Sequence, residues 1–177
     1  GEWTFINNLV WQETFSESPQ YATSGVQWST SGITPDADTY FRVENNRMVG
    51  RDLDAEAVWR SSSIPIASVS PVKVSVNLQE TGTLENDDYI RVYYSIDGGP
   101  ETFFTTNGNL NDDFGNLNAS VTNLSGNNLR IIIRCRNDNP NEYYFFDDIV
   151  VRQVTAQTEP TITTITSPTS TVSGLWQ

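Results

Sequence analysis

The sequence predicts an all-β protein, an antiparallel β-sandwich of the jelly-roll kind, and three observations carry that prediction. Short apolar runs alternate with polar residues. Clusters of Asn, Asp, Gly and Ser separate these runs, and no segment of useful length has a convincing helical period. The composition agrees: 5 Trp, 7 Tyr and 8 Phe, with many Val, Ile and Thr, suit a pleated, half-buried surface. At 177 residues the chain has room for one domain with a sizeable core and a tail.

Taken in chain order, Leu53–Arg60 is the single candidate for a turn or two of helix. Val72, Val74, Val76 and Leu78 then alternate with Lys73, Ser75, Asn77 and Gln79. Ile90, Val92, Tyr94 and Ile96 alternate with Tyr89, Arg91, Tyr93 and Ser95, and Asp97-Gly98-Gly99-Pro100 turns the chain into 101–106. Leu129, Ile131, Ile133 and Cys135 alternate with Arg130, Ile132, Arg134 and Arg136. Each run predicts a half-buried antiparallel strand with one wet face. The aromatic stretch from Asn141 to Arg152 predicts a further strand, interrupted by the adjacent carboxylates Asp147 and Asp148.

Residues 155–171 differ in kind, with eight Thr, two Ser and two Pro in 17 residues. Such a segment lacks anchors for a core and predicts an extended linker. The expected organisation is a module over 1–154, a linker over 155–171, and in 172–177 the start of a following module or remnant sequence.

The formal net charge of −12 argues against nucleic acid and anionic membranes as partners. No stretch approaches the ~18 apolar residues of a membrane helix. Nine of the ten basic residues are Arg, whose planar forks favour local pairing or recognition over general solvation. The single cysteine, Cys135, has no internal partner and sits where a strand buries a small hydrophobe. Histidine is absent, which excludes Ser-His-Asp catalysis and the usual zinc sites.

Four groups of residues carry possible chemistry. Asp147 and Asp148 stand beside Phe145, Phe146 and Ile149, where a carboxylate is costly to bury unless paired or bound to a hard cation such as Ca²⁺. Arg130, Arg134 and Arg136, with Tyr89, Arg91 and Tyr93 and with Lys73 on its own strand, would form a basic, tyrosine-bearing face if their strands share a sheet. Tyrosine stacks on sugar rings and guanidinium bonds hydroxyls, uronates or sulfates; cross-strand ion pairing is the alternative use of those arginines. Trp28, Tyr40 and Trp59 form a competing aromatic set at loops or an edge. In Asp52-Leu-Asp54-Ala-Glu56, acids two apart on a strand project to one side about 6.6 Å apart, a spacing suited to two-carboxylate hydrolysis.

The loops Glu85–Asp88, Asn111–Asp113 and Asn137–Glu142 are rich in oxygen ligands, but none has EF-hand spacing, and Asx-turns account for most. Asn118-Ala-Ser120 and Asn123-Leu-Ser125 are glycosylation sequons, meaningful in a eukaryotic secretory pathway.

Trp11-Gln-Glu-Thr-Phe15, Asp38-Thr-Tyr-Phe-Arg-Val43, Ala57-Val-Trp-Arg-Ser61 and Phe146-Asp-Asp-Ile-Val150 fall in the order seen in MAM-like jelly rolls. Across Trp11–Val154 the chain also resembles the jelly-roll carbohydrate-binding modules of secreted polysaccharide-degrading enzymes, particularly those of marine Bacteroidetes. The resemblance implies a structural Ca²⁺ bridging an early and a late acid. Carried over, the ligands are Glu13, Asp38 and Asp148, with Asp147 and Glu44 in reserve. The disulfides usual in animal MAM domains are missing.

The expected function is a secreted, non-catalytic carbohydrate-binding module. It would hold a covalently linked catalytic domain near a polysaccharide, for which an acidic or sulfated glycan is one candidate. The alternatives are a jelly-roll glycosidase or lyase using Asp54 and Glu56, and a protein-adhesion module.

Overall fold

The computed structural model describes residues 8–155, so the expected linker beyond Thr155 and the segment 172–177 lie outside the described residues. Thirteen strands follow one another, with no helix among the described residues. They are β1 (Leu9–Glu13), β2 (Trp28–Ser31), β3 (Tyr40–Glu44), β4 (Arg47–Arg51), β5 (Leu53–Ser61), β6 (Ile64–Pro65) and β7 (Val72–Thr81). The second half holds β8 (Tyr89–Ile96), β9 (Thr102–Phe103), β10 (Asn109–Asn111), β11 (Asn116–Leu124), β12 (Asn128–Asn137) and β13 (Tyr143–Gln153).

The strands pair antiparallel in two sheets. One runs β11-β7-β13-β4-β3, with β1 beside the second half of β13. The other runs β10-β8-β12-β5-β2, with β6 on β12 and β9 on β8. The sandwich predicted from alternation is therefore the observed architecture. Inward residues of both sheets, such as Val74, Val76 and Leu78 against Ile90, Val92, Ile131 and Ile133, make one core.

One end of that core is aromatic. Trp59 stacks on Trp28 with centroids 6.3 Å apart, and Phe15 and Phe146 meet Trp59 edge-on. Trp59 is fully buried and Trp28 nearly so. Neither ring can be offered to a ligand, which corrects the expectation that Trp28 and Trp59 form a platform.

Two further expectations change. Leu53–Arg60 is strand, not helix, because β5 is held on both sides, by β12 through Trp59↔Ile133 and by β2 through Trp59↔Thr30. Lys73 belongs to the sheet opposite the arginine-bearing strands, so it does not extend their face.

The adjacent carboxylates of β13 have a geometric cause. The register between β13 and β7 shifts between Asp147 and Val150, and Asp148 has φ 48°. Strict alternation would drive Asp148 into the core and Ile149 outward. The irregularity absorbs one residue, leaving Asp148 exposed and Ile149 fully buried.

Candidate functional site

The strands β8 and β12 do share a sheet. Their register places Arg134 opposite Arg91 and Arg136 opposite Tyr89, so six of the predicted residues lie on one outer face. Two of their four positive charges, on Arg134 and Arg136, are matched by carboxylates. The Arg134 guanidinium makes a two-pronged bond to Glu101, with Nε–Oε2 and Nη2–Oε1 both 2.9 Å, and also donates to Glu56 Oε1. Tyr89 donates its hydroxyl to the other Glu56 oxygen at 2.8 Å; burial, then that bond, pushes its pKa up to about 12. The bonds from Arg134 hold the Glu101 carboxyl below the usual carboxylate range.

The rest of this face is similarly engaged. Arg136 pairs with Asp138 at 3.3 Å and Asp87 at 3.7 Å. Arg91 lies 3.9 Å over the Tyr89 ring and donates to Asn109, and Tyr93 stacks on Phe103. Between them Ile132 and Val58 point outward yet are nearly inaccessible. Ion pairing is thus the use to which the structure puts Arg134 and Arg136. Arg130, at the far end of β12, is exposed. Glu56, one of the two suggested catalytic acids, is bound to Arg134 and Tyr89, while Asp54 faces solvent.

The opposite outer face carries a groove of about 460 Å³. Cross-strand register explains its lining. Asn116, Gln79 and Phe145 form one row across β11, β7 and β13, and Asn118, Asn77 and Asp147 form the next. Arg47 of β4 lies 3.7 Å over Phe145 and donates to Gln79 at 3.0 Å. Asn118 donates to Asn77, and Asn77 to Asp148 Oδ2 at 3.0 Å. Burial pushes the Asp147 carboxyl up to about 6, opposed by the Asp148 backbone N–H and aided by the Asp148 charge. Four amides, one guanidinium and two carboxylates around one phenyl ring can match sugar hydroxyls with both donors and acceptors. Of these, the sequence marks the aspartates as candidate cation ligands and Asn118 as a glycosylation sequon. Tyr40, on the same face, is buried beneath Arg42, whose guanidinium lies 3.7 Å over its ring.

The suggested metal ligands do not converge. Glu13 Oε1 accepts the Phe15 N–H, Asp38 pairs with Arg51 at 3.2 Å, and Asp148 is held by Asn77. Glu44, a reserve, is tied to Arg42. Among the described residues, Glu13, Asp38 and Asp148 do not form a group with ligand oxygens within 4.8 Å of one another. Among the described residues one acidic group has its carboxylate oxygens within 4.8 Å of each other and could hold a metal: Glu85, Asp88, Asp138 and Glu142.

No family model matches the sequence, and no curated protein matches it. Solved structures do share its fold. TmCBM61, in complex with β-1,4-galactotriose, superposes with a TM-score of 0.54 at 12% identity over 84% of this chain and 99% of that one. A second comes from work on endo-acting O-glycanases by which human gut microbiota initiate mucin breakdown. It gives 0.55 at 8% identity, covering 83% of this chain and 100% of that one. The K2 cleaved adhesin domain of Lys-gingipain gives 0.52 at 14% identity over 80% and 96%. At such identities the likeness is one of architecture, and function has to be argued from the site. No helix of the described residues is long and apolar enough to cross a membrane.

Proposed function

We propose that the domain is a non-catalytic glycan-binding module, and that the groove between Phe145 and the four amides is its binding site. The observation that carries this reading is the lining itself: two cross-strand rows of Asn and Gln beside a half-buried phenyl ring. The sandwich shared with a module in complex with β-1,4-galactotriose supports it. Side chains fixed on paired strands are pre-oriented, so little conformational entropy is lost on binding a sugar chain.

The groove favours a neutral polysaccharide. Arg47 is offset by Asp147 and Asp148, and the chain carries −12 overall. A uronate or sulfate would meet repulsion there, and two of the four arginines that suggested an acidic ligand, Arg134 and Arg136, are paired with carboxylates on the other face. As part of a secreted, longer protein, the module would hold a linked catalytic domain at its substrate by raising effective concentration.

Affinity gel electrophoresis against neutral, uronic and sulfated polysaccharides tests the reading. Retardation by a neutral glycan, without product release, is the expected result. Removing Asn77 and Gln79 together deletes two hydrogen-bonding groups worth about 1 kcal/mol each, so affinity should fall roughly tenfold or more. Unchanged retardation of that double variant would remove the groove from consideration.

A further inference from the structure

We infer that Glu85, Asp88, Asp138 and Glu142 form a Ca²⁺ site that ties together the two crossovers at one end of the sandwich. Glu85 and Asp88 lie on the connection from β7 to β8, and Asp138 and Glu142 on the connection from β12 to β13. Each connection passes from one sheet to the other, in opposite directions. The four carboxylates place ligand oxygens within 4.8 Å of one another, although chain segments some fifty residues apart contribute them.

Proximity alone would not make a site; the second observation is Glu142. It is 98% buried, by its relative exposure of 2%, and its Oε2 has no hydrogen-bond partner. Asp88 is as deeply buried, at 1% exposure, and accepts the Glu85 N–H at 2.9 Å. A buried carboxylate with an unpartnered oxygen, clustered with three other carboxylates, is costly unless a cation meets it. Arg136 reaches Asp138 at 3.3 Å and Arg51 donates to the Pro140 carbonyl of the same connection, but among the described residues no guanidinium pairs with Asp88 or Glu142.

The chemistry selects the ion. All donors are carboxylate oxygens, with no imidazole in the chain and the one thiol buried on β12, so a hard cation fits and zinc does not. An all-protein cage of several acids suits Ca²⁺, which takes 6–8 oxygens flexibly, better than Mg²⁺, which keeps its waters. This inference is independent of the glycan reading.

The test is calorimetric titration of CaCl₂, and separately MgCl₂, into the full chain after chelator treatment, with melting curves alongside. One Ca²⁺ site is expected. At calcium about 100-fold above Kd, the melting temperature should rise by roughly 5–10 °C, and Mg²⁺ at equal concentration should not reproduce the shift. Glu142→Gln should abolish the calcium-dependent shift and raise the calcium-free melting temperature. Asp138→Asn, at an exposed position, covers the case in which the buried variant does not fold, and should weaken Ca²⁺ at least about tenfold. Asp148→Asn should leave binding unchanged. No heat and no shift with the parent chain would overturn the inference. So would parent-like calcium affinity in Asp138→Asn or Glu142→Gln, since the ion would then sit elsewhere.

Discussion

Replacing Arg134 by glutamine separates a structural arginine from a ligand-binding one. Arg134 holds Glu101 through two bonds of 2.9 Å and Glu56 through a third, and the three side chains are 22%, 33% and 33% exposed. Partly screened ion pairs contribute about 0.5–1 kcal/mol each. Two pairs, with the repulsion left between Glu56 and Glu101, amount to about 2 kcal/mol. For a domain of this size that lowers the melting temperature by roughly 4–8 °C. The loss has a pH signature. The Glu101 carboxyl is held below its ordinary value, so its contribution is present above the unfolded pKa and disappears as pH falls through the folded one. The gap between parent and variant should therefore be full at pH 7 and close below about pH 4. Melting curves at both pH values, with gel retardation by a neutral glycan, read the outcome. A melting temperature shifted by less than about 1 °C together with lost retardation would refute the assignment and return Arg134 to the binding surface.

Other outcomes follow from the same packing. Trp59→Ala, at a fully buried position touching Phe15, Trp28 and Phe146, should cost about 3–5 kcal/mol and visibly lower the denaturant midpoint. Asp147 has its folded pKa raised to about 6, so between about pH 4 and 6 the folded state keeps a proton that the unfolded chain has released. Its effect is thus to lower stability as pH rises through that window. Asp147→Asn should remove that fall and stabilise the domain by about 1 kcal/mol at pH 7, measured by urea unfolding. Cys135 is fully buried with its thiol pushed up, so a thiol reagent should leave it unmodified until denaturant is added.

The alternation in β7, β8 and β12 was enough to read the strands, because one buried face imposes a period of two. It was not enough to read the partners. Whether Arg134 meets a ligand or Glu56 and Glu101 depends on neighbours 78 and 33 residues away, which only pairing brings together. Tandem Asp147-Asp148 was legible as an anomaly, but its cause is a register shift against β7 that a single strand does not reveal. The groove is not legible in the sequence because its amides occur one at a time on β7 and β11, and become a surface when the strands lie side by side. In the sequence the acidic cluster is two separate oxygen-rich loops, neither of which has the spacing of a complete site. Its ligand set forms across them.

Asn118 bears on how the protein is produced. Its side-chain nitrogen, which lines the groove and donates to Asn77, is also the acceptor atom of the Asn118-Ala-Ser120 sequon. A yeast or mammalian secretion host that modified this nitrogen would plant a bulky sugar tree in the groove and remove one of its donors. Such a preparation could fold normally and still fail every binding assay, whereas bacterial material would leave the surface open.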